Sequence, residues 1–218
     1  MKFVQEPRAR RDYDASGRRR KAAERRAATA RAAAEVFAER GLEATTMADI
    51  AEAAGVSVAY LERLGPKAEI FALAIESVTV GPELETVENA RLELAKILDA
   101  VTRDEFLAAT ARGSAEWNAR SHRLWRAWAV SSDPDLQERW RSLMADIRRD
   151  WAISLAAFDV RGWWRTDIPR AEQVATVWIL TMAETYGRLT EEAGLTHDEY
   201  VAWLERGLRA ALVPTDDA

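Results

Sequence analysis

The amino-acid sequence predicts an all-α protein, and three observations carry that reading. Apolar residues recur at helical spacing almost from end to end, the alternating pattern of strands is nearly absent, and helix-start signatures punctuate the chain. With 218 residues, 48% of them hydrophobic and 31% charged, the chain can bury the substantial core of one or two small domains. About nine helices are expected.

Ala30, Ala33, Ala34 and Phe37 make the inner stripe of a first helix, expected to begin after Arg20 and to end at Gly41. Thr46 and Asp49 have the spacing of a capping box, in which each side chain bonds the other residue's backbone N–H, so a second helix starts there. Ser57 is a good N-cap for a third. Pro66 opens a fourth, with Phe71, Ala74, Ile75 and Val78 on one face and an end near Gly81 and Pro82. Leu94, Ile97, Leu98 and Val101 share a face of the next helix, and Thr102 and Glu105 box the start of another. Ser114 is read as the cap of a helix carrying Trp117, Ser121, Leu124, Trp125 and Trp128.

Asp133-Pro134 joins an N-cap to a proline at the first helical position, and Leu136, Trp140, Leu143, Ile147 and Trp151 line the helix that follows. After a break at Arg161-Gly162, one long helix is expected from about Pro169 to Glu192. A last one runs from His197 to Leu212, begun by the box Thr196 to Glu199. Between Val174 and Ala183 the former is apolar almost all round, which predicts burial against its own domain and against a second protomer.

The most informative pattern lies in residues 32–75. Ala51, Gly55, Val56 and Leu61 have the spacing that packs two short helices across a tight turn: a small residue at the crossing, glycine to turn the chain, apolar residues to seal the pair. That is a helix-turn-helix, and it points to DNA. The stretch resembles the N-terminal domain of the TetR family of bacterial transcriptional regulators, because Phe37, Gly41, Thr45, Thr46, Ile50, Ala51, Gly55, Val56, Ser57, Leu61, Lys67 and Phe71 fall where that family places similar residues. One departure stands out. The family usually continues Leu-Tyr-x-His/Tyr-Phe-x-x-Lys, whereas this chain has Leu61-Glu62-Arg63-Leu64-Gly65-Pro66-Lys67, one residue shorter, with Glu62 in place of the aromatic. Tyr60 is the available substitute ring, and Glu62 must turn away from phosphate or pair with Arg63.

The resemblance divides the chain into a basic arm (1–21), a helix-turn-helix domain (22–68) and a ligand-binding and dimerisation domain (69–218). It implies a homodimer joined through its last two long helices. That dimer holds a near-palindromic double-stranded DNA operator, as a repressor, until a small apolar or aromatic effector enters a C-terminal cavity. Arg161-Gly162-Trp163-Trp164-Arg165-Thr166-Asp167 is similar to a turn that often precedes the family's dimerisation helices.

In a helix-turn-helix the N-terminal part of the second helix reads the bases. Ser57 and Tyr60 are therefore expected to reach phosphates, Val58 and Ala59 to meet thymine methyls, and Arg63 to read guanine or hold the backbone. Thr45, Thr46 and Lys67 resemble the family's phosphate-contacting positions. All nine tryptophans follow Arg112. Helical spacing explains most of them as core, while Trp117, Trp125, Trp128, Trp151 and Trp163, with His122, are the candidates to line an effector cavity.

The net charge of −5 conceals an asymmetry: residues 1–31 carry 11 Lys and Arg against 4 Asp and Glu, and residues 76–218 carry 17 against 25. A basic front suits phosphates, while an acidic remainder limits nonspecific adhesion to nucleic acid. The basic front is read either as an arm in a minor groove or as a solvated tail. With no cysteine, two histidines and no nucleophile or phosphate-loop motif, the sequence implies neither a metal nor a cofactor, and it does not read as an enzyme. No apolar run is long enough to span a membrane and no signal peptide is recognisable, so the expected location is the cytoplasm. Two alternatives stay open: a TetR-like protein whose altered recognition helix acts through a protein partner, and a helical enzyme.

Overall fold

The computed structural model describes residues 15–79 and 96–214; Gly81, Pro82 and Leu94 lie outside them. Among the described residues the regular structure is nine α-helices and no strand: α1 (Ala15–Ala44), α2 (Met47–Ala54), α3 (Val58–Leu64), α4 (Lys67–Thr79), α5 (Arg103–Ala129), α6 (Pro134–Ala156), α7 (Arg170–Thr181), α8 (Ala183–Gly187) and α9 (His197–Leu212). Short 3-10 turns at Lys96–Asp99 and Asp159–Arg161 and a π turn at Arg188–Glu192 connect them.

Local side-chain chemistry sets most helix starts. Thr46 with Asp49, Thr102 with Glu105 and Thr196 with Glu199 form reciprocal capping boxes, satisfying backbone N–H groups that have no partner inside the helix. Asp133 accepts from the N–H groups of Asp135 and Leu136, with Pro134 beside it where no N–H is needed. α1 begins at Ala15, earlier than the expected start beyond Arg20. Alanine and arginine are strong helix formers, and nothing between Arg18 and Arg40 interrupts them. Helical geometry is lost at Gly41 (φ 78°), as the sequence predicts, although hydrogen bonding resumes to Ala44.

Three expectations are corrected. Ser114 caps nothing: it lies inside the 27-residue α5, because Leu107, Ala111 and Ala115, all buried, carry one apolar stripe straight past it. Among the described residues of the helix expected through Ile97, Leu98 and Val101 there is only the 3-10 turn, and Val101 is 76% exposed. The single helix expected from Pro169 to Glu192 is broken at Met182, whose backbone is extended (φ −69°, ψ 148°).

That break is stabilised by side chains from other elements. The amide of buried Asn118 on α5 donates to the Thr181 carbonyl (3.0 Å), and the Tyr200 hydroxyl on α9 donates to the Leu180 carbonyl (3.3 Å). Thr185 donates to the Ile179 carbonyl at 2.6 Å. Carbonyls freed by a helix break cost free energy when buried without a donor, so the break depends on these partners.

Two cores result. In the first, Phe37 of α1, Ile50 of α2, Leu61 of α3 and Ile70 and Phe71 of α4 pack together with Leu124 and Ala127 of α5 and Leu136 of α6. In the second, Phe106, Leu107, Leu155, Phe158, Trp164, Val177, Tyr200, Leu204, Leu208 and Leu212 close the C-terminal body. Fully burying such a side chain stabilises by about 1.5–3 kcal/mol, which is why α2 and α3, too short to be stable alone, are held in place by their neighbours.

Replacing Asn118 by leucine keeps the volume but removes the donor to Thr181. The expected cost is about 1–3 kcal/mol, read as a lowered urea midpoint with an unchanged slope.

Candidate nucleic-acid interface and effector region

α2 and α3 meet across Gly55, which takes the left-handed conformation (φ 62°) and donates its N–H to the end of α2. A residue with a Cβ adopts that geometry at a cost, so glycine is required for the turn. Val56 N–H then returns to the Ala51 carbonyl at 2.9 Å. With Ile50 and Leu61 fully buried between the helices, the opposite side of α3 is left open: Val58 (37% exposed), Ala59, Glu62 and Arg63 all face outward. Ser57 accepts from Tyr60 N–H at 3.2 Å as the N-cap and keeps its own hydroxyl proton to donate.

The expected phosphate contacts divide. Thr46 is exposed, with its hydroxyl already on Asp49 (2.6 Å), whose carboxyl is held below its usual range by that bond and by the Thr46 N–H. Thr45 is buried, and its hydroxyl donates to the Gly41 carbonyl (2.6 Å). Lys67 sends its ammonium to the carbonyls of Leu42 (2.9 Å), Thr45 (3.1 Å) and Glu43 (3.5 Å), at the end of α1. All three of its donors are so engaged, which makes it a cap for α1 in this structure.

Tyr60 is half-buried, with the Arg25 guanidinium of α1 4.2 Å from its ring centre and that of Arg63 at 5.9 Å. Sequence reasoning did not identify Arg25; only its position, a helical register away from the core stripe, hints at it. Glu62 stands exposed on the same side as Val58 and makes no ion pair with Arg63 among the described residues. Gly65 explains the shortened connection: its φ is 141°, and a Cβ there would lie 2.9 Å from Cβ of Glu69, so α4 begins where a longer side chain would collide.

Behind the reader, the α5–α6 corner is fastened to it. Ser132 donates its N–H (2.9 Å) and hydroxyl (2.8 Å) to Glu43, holding that carboxyl below its usual range, and Arg139 reaches Glu69 at 3.0 Å.

The six residues expected around an effector are not gathered in one place: Trp128 packs on the first core, Trp151 and Trp163 on the second, and Trp125 in a third cluster. Trp125 and Trp128 both stack edge-on against Trp140 (5.6 and 5.5 Å), and the Trp128 indole donates to the Leu136 carbonyl. Trp163 stacks on Phe158 at 4.5 Å and, with Trp151, packs against the second core. Trp117 is half-buried, and its carbonyl accepts from Ser121. His122 contacts the Asn118 carbonyl (2.9 Å) and Glu191 (3.1 Å). An open cleft of about 510 Å³ lies between α1, α4 and α5, lined by Arg31, Glu35, Ser77, Val78, Arg120 and Leu124 among others, and none of the six takes part in it.

A third cluster holds more chemistry. Trp125, Met182 and Ala183 pack with Ile75, Trp140, Leu143, Met144, Ile147 and Trp178 where α4, α5, α6 and α7 converge. The indole N–H groups of Trp125 and Trp178 are buried there with no acceptor among the described residues. Nearby, Glu191 draws together His122, Arg123 (2.8 Å) and Arg126 (3.5 Å), and these bonds, His122 first, pull its carboxyl down to about 2. Among the described residues no helix is long and apolar enough to cross a membrane, and no three metal-ligating side chains cluster.

Residues 30–62 match the family model of bacterial regulatory proteins, tetR family. A TetR-like transcriptional regulator from a Rhodococcus species shares 18% identity over 85% of this chain and 94% of its own, with a TM-score of 0.62. NalD, the secondary repressor of the MexAB-OprM multidrug efflux pump in Pseudomonas aeruginosa, shares 18% over 89% and 99% (TM-score 0.64). TylP, a TetR regulator from Streptomyces fradiae, shares 17% over 90% of each (TM-score 0.59). No curated protein matches. The family resemblance read from the sequence is thus upheld over residues 30–62, and the chain shares the fold of solved TetR-family regulators.

Two outcomes follow from this geometry. Lys67→Met should lower stability by about 1–3 kcal/mol by uncapping α1, yet leave the salt dependence of DNA binding unchanged. Because the folded pKa of Glu191 lies below its usual 4.5, its contribution is complete above pH 4.5 and fades as pH falls toward about 2. The stability gap between the wild type and Glu191→Gln, taken from urea midpoints, should therefore be widest near neutrality and close in acid.

Proposed function

We propose that this chain, which carries the TetR-family helix-turn-helix segment on the TetR-family fold, is a transcriptional repressor working in the cytoplasm. It binds a near-palindromic duplex operator as a homodimer and releases it when a small apolar or aromatic molecule enters the C-terminal domain. One observation carries this reading. The N-terminal half of α3 keeps Val58 and Ala59 uncovered beside the Ser57 hydroxyl and Arg63, while its other face is locked into the core. Two methyl-bearing side chains suit thymine methyls in a major groove, Ser57 donates to phosphate, and Arg63 reads guanine or holds the backbone. Glu62, an acceptor only, suits the amino group of cytosine and opposes phosphate.

Support for the dimer comes from α7, where exposed Ala175, half-exposed Trp178 and Ile179 (53% exposed) fall at i, i+3 and i+4, an apolar face suited to a twofold partner. The effector region we favour is the cluster around Trp125 and Trp178. Its two indole donors have no acceptor among the described residues, and Met144 and Met182 are soft enough to yield around a guest, so an apolar molecule bearing a hydrogen-bond acceptor fits best. Ile75 of α4 touches this cluster directly, so displacement there reaches the helix that supports the reader. NalD's role as a repressor lends weight to the sign of the regulation.

Selection of random-sequence duplexes with the purified protein tests the reading. Enrichment of an inverted repeat whose half-sites lie roughly 34–36 Å apart is expected. Val58→Asp should weaken binding to the selected duplex about tenfold or more, since one base contact carries about 1–3 kcal/mol of discrimination. A library that stays flat through selection would rule the proposal out.

A further inference from the structure

We infer that the N-terminal part of α1 is a second DNA-contacting element, a basic helix that runs along the phosphate backbone beside α3. The inference rests on the regulator reading and adds a contact surface to it.

The helix extends well beyond what its own domain needs. Its first residues in the core are Thr29 and Ala30, and every residue from Arg18 to Ala28 is exposed. Within that stretch stand Arg18, Arg19, Arg20, Lys21, Arg25 and Arg26 against a single carboxylate, Glu24, which lies 3.5 Å from Arg20. Its only apolar residues are the alanines at 22, 23, 27 and 28, too small to give a protein partner a face to bury. What such a surface complements is dense negative charge.

Continuity with the recognition helix selects duplex DNA as that charge. Arg18, Lys21 and Arg25 fall at i, i+3 and i+7, on one stripe of the helix. The stripe meets α3 at Arg25, whose guanidinium lies 4.2 Å from the ring centre of Tyr60. At 1.5 Å per residue, Lys21 and Arg18 stand about 6 and 10 Å farther along the axis. That reach is enough to meet neighbouring phosphates of one strand, each of which advances roughly 3.4 Å along the duplex axis. Arg25 acts as the positioning residue: it holds Tyr60 and α3 by cation–π contact and aligns the stripe beside them.

The test is fluorescence anisotropy of a labelled duplex carrying the selected inverted repeat, titrated with the full-length protein at several KCl concentrations. Each lost phosphate contact removes about 0.9 from the slope of log affinity against log salt, so Arg18→Gln/Lys21→Gln should flatten it by about 1.8 per protomer. Its sequence preference and thermal midpoint should stay the same, since neither residue touches the core. Ala22→Pro keeps every charge but breaks the helix between the stripe and its anchor, and should also flatten the slope. An unchanged slope in the double variant, with the wild type still selecting the repeat, overturns this inference and leaves the regulator reading standing. A wild-type slope in Ala22→Pro overturns the helical track in favour of a loose arm. Failure of the wild type to bind any duplex overturns both readings together.

Discussion

Phe71 is the contact on which the architecture turns. It sits fully buried on α4, with Phe37 of α1 edge-on at 5.0 Å and Trp128 of α5 at 6.1 Å. One ring therefore belongs at once to the core that holds the helix-turn-helix and to the long helix of the C-terminal body. Edge-to-face pairs add about 0.5–1.5 kcal/mol beyond the area they bury, and the packing around them has little room to slide. The helix-turn-helix and the α5–α6 corner of the body consequently share one core, through Leu124, Ala127 and Leu136.

That continuity constrains how a signal could travel. If α4 alone moved, the Phe37–Phe71–Trp128 stack would have to open, and Leu136 would be left behind in the reader's core. The polar ties at Glu43–Ser132 and Glu69–Arg139 lie on the same side and bring the α5–α6 corner along with the reader. A rearrangement near Trp125 is thus felt through α5, through α6 by way of Trp140 and Leu136, and through α4 by way of Ile75. Three attachments favour rotation of the reader as a rigid piece over bending within it, because packed interiors switch between arrangements and do not deform continuously.

What could be read from the sequence was what is decided locally. Capping boxes at Thr46, Thr102 and Thr196, the Asp133-Pro134 start and the Gly55 turn each depend on residues within four positions of one another, and the structure contains all of them. The inner stripe of α1 was equally plain, since Ala33, Ala34 and Phe37 follow the helical period into the core. Features set by distant partners were not legible. The break at Met182 exists because Asn118 and Tyr200, 64 residues before and 18 after it in number, supply donors to its carbonyls. Lys67 has the position of a phosphate ligand, but three carbonyls some 22 to 25 residues earlier claim its ammonium. The tryptophans followed a helical period that told which face they occupy but not which neighbours they meet, so Trp125 and Trp163 ended in different clusters.

The unusual backbone of Gly65 bears on any effort to retarget the protein. With φ at 141° and no room for a Cβ beside Glu69, this residue fixes how α3 is aimed relative to α4. A helix borrowed from a relative with the longer connection would arrive rotated, and under the proposed function its side chains would meet the wrong edges of the groove. The natural unit of exchange is the whole module from Ser57 to Lys67, because the joint sets the aim of α3 as firmly as the side chains set what it carries.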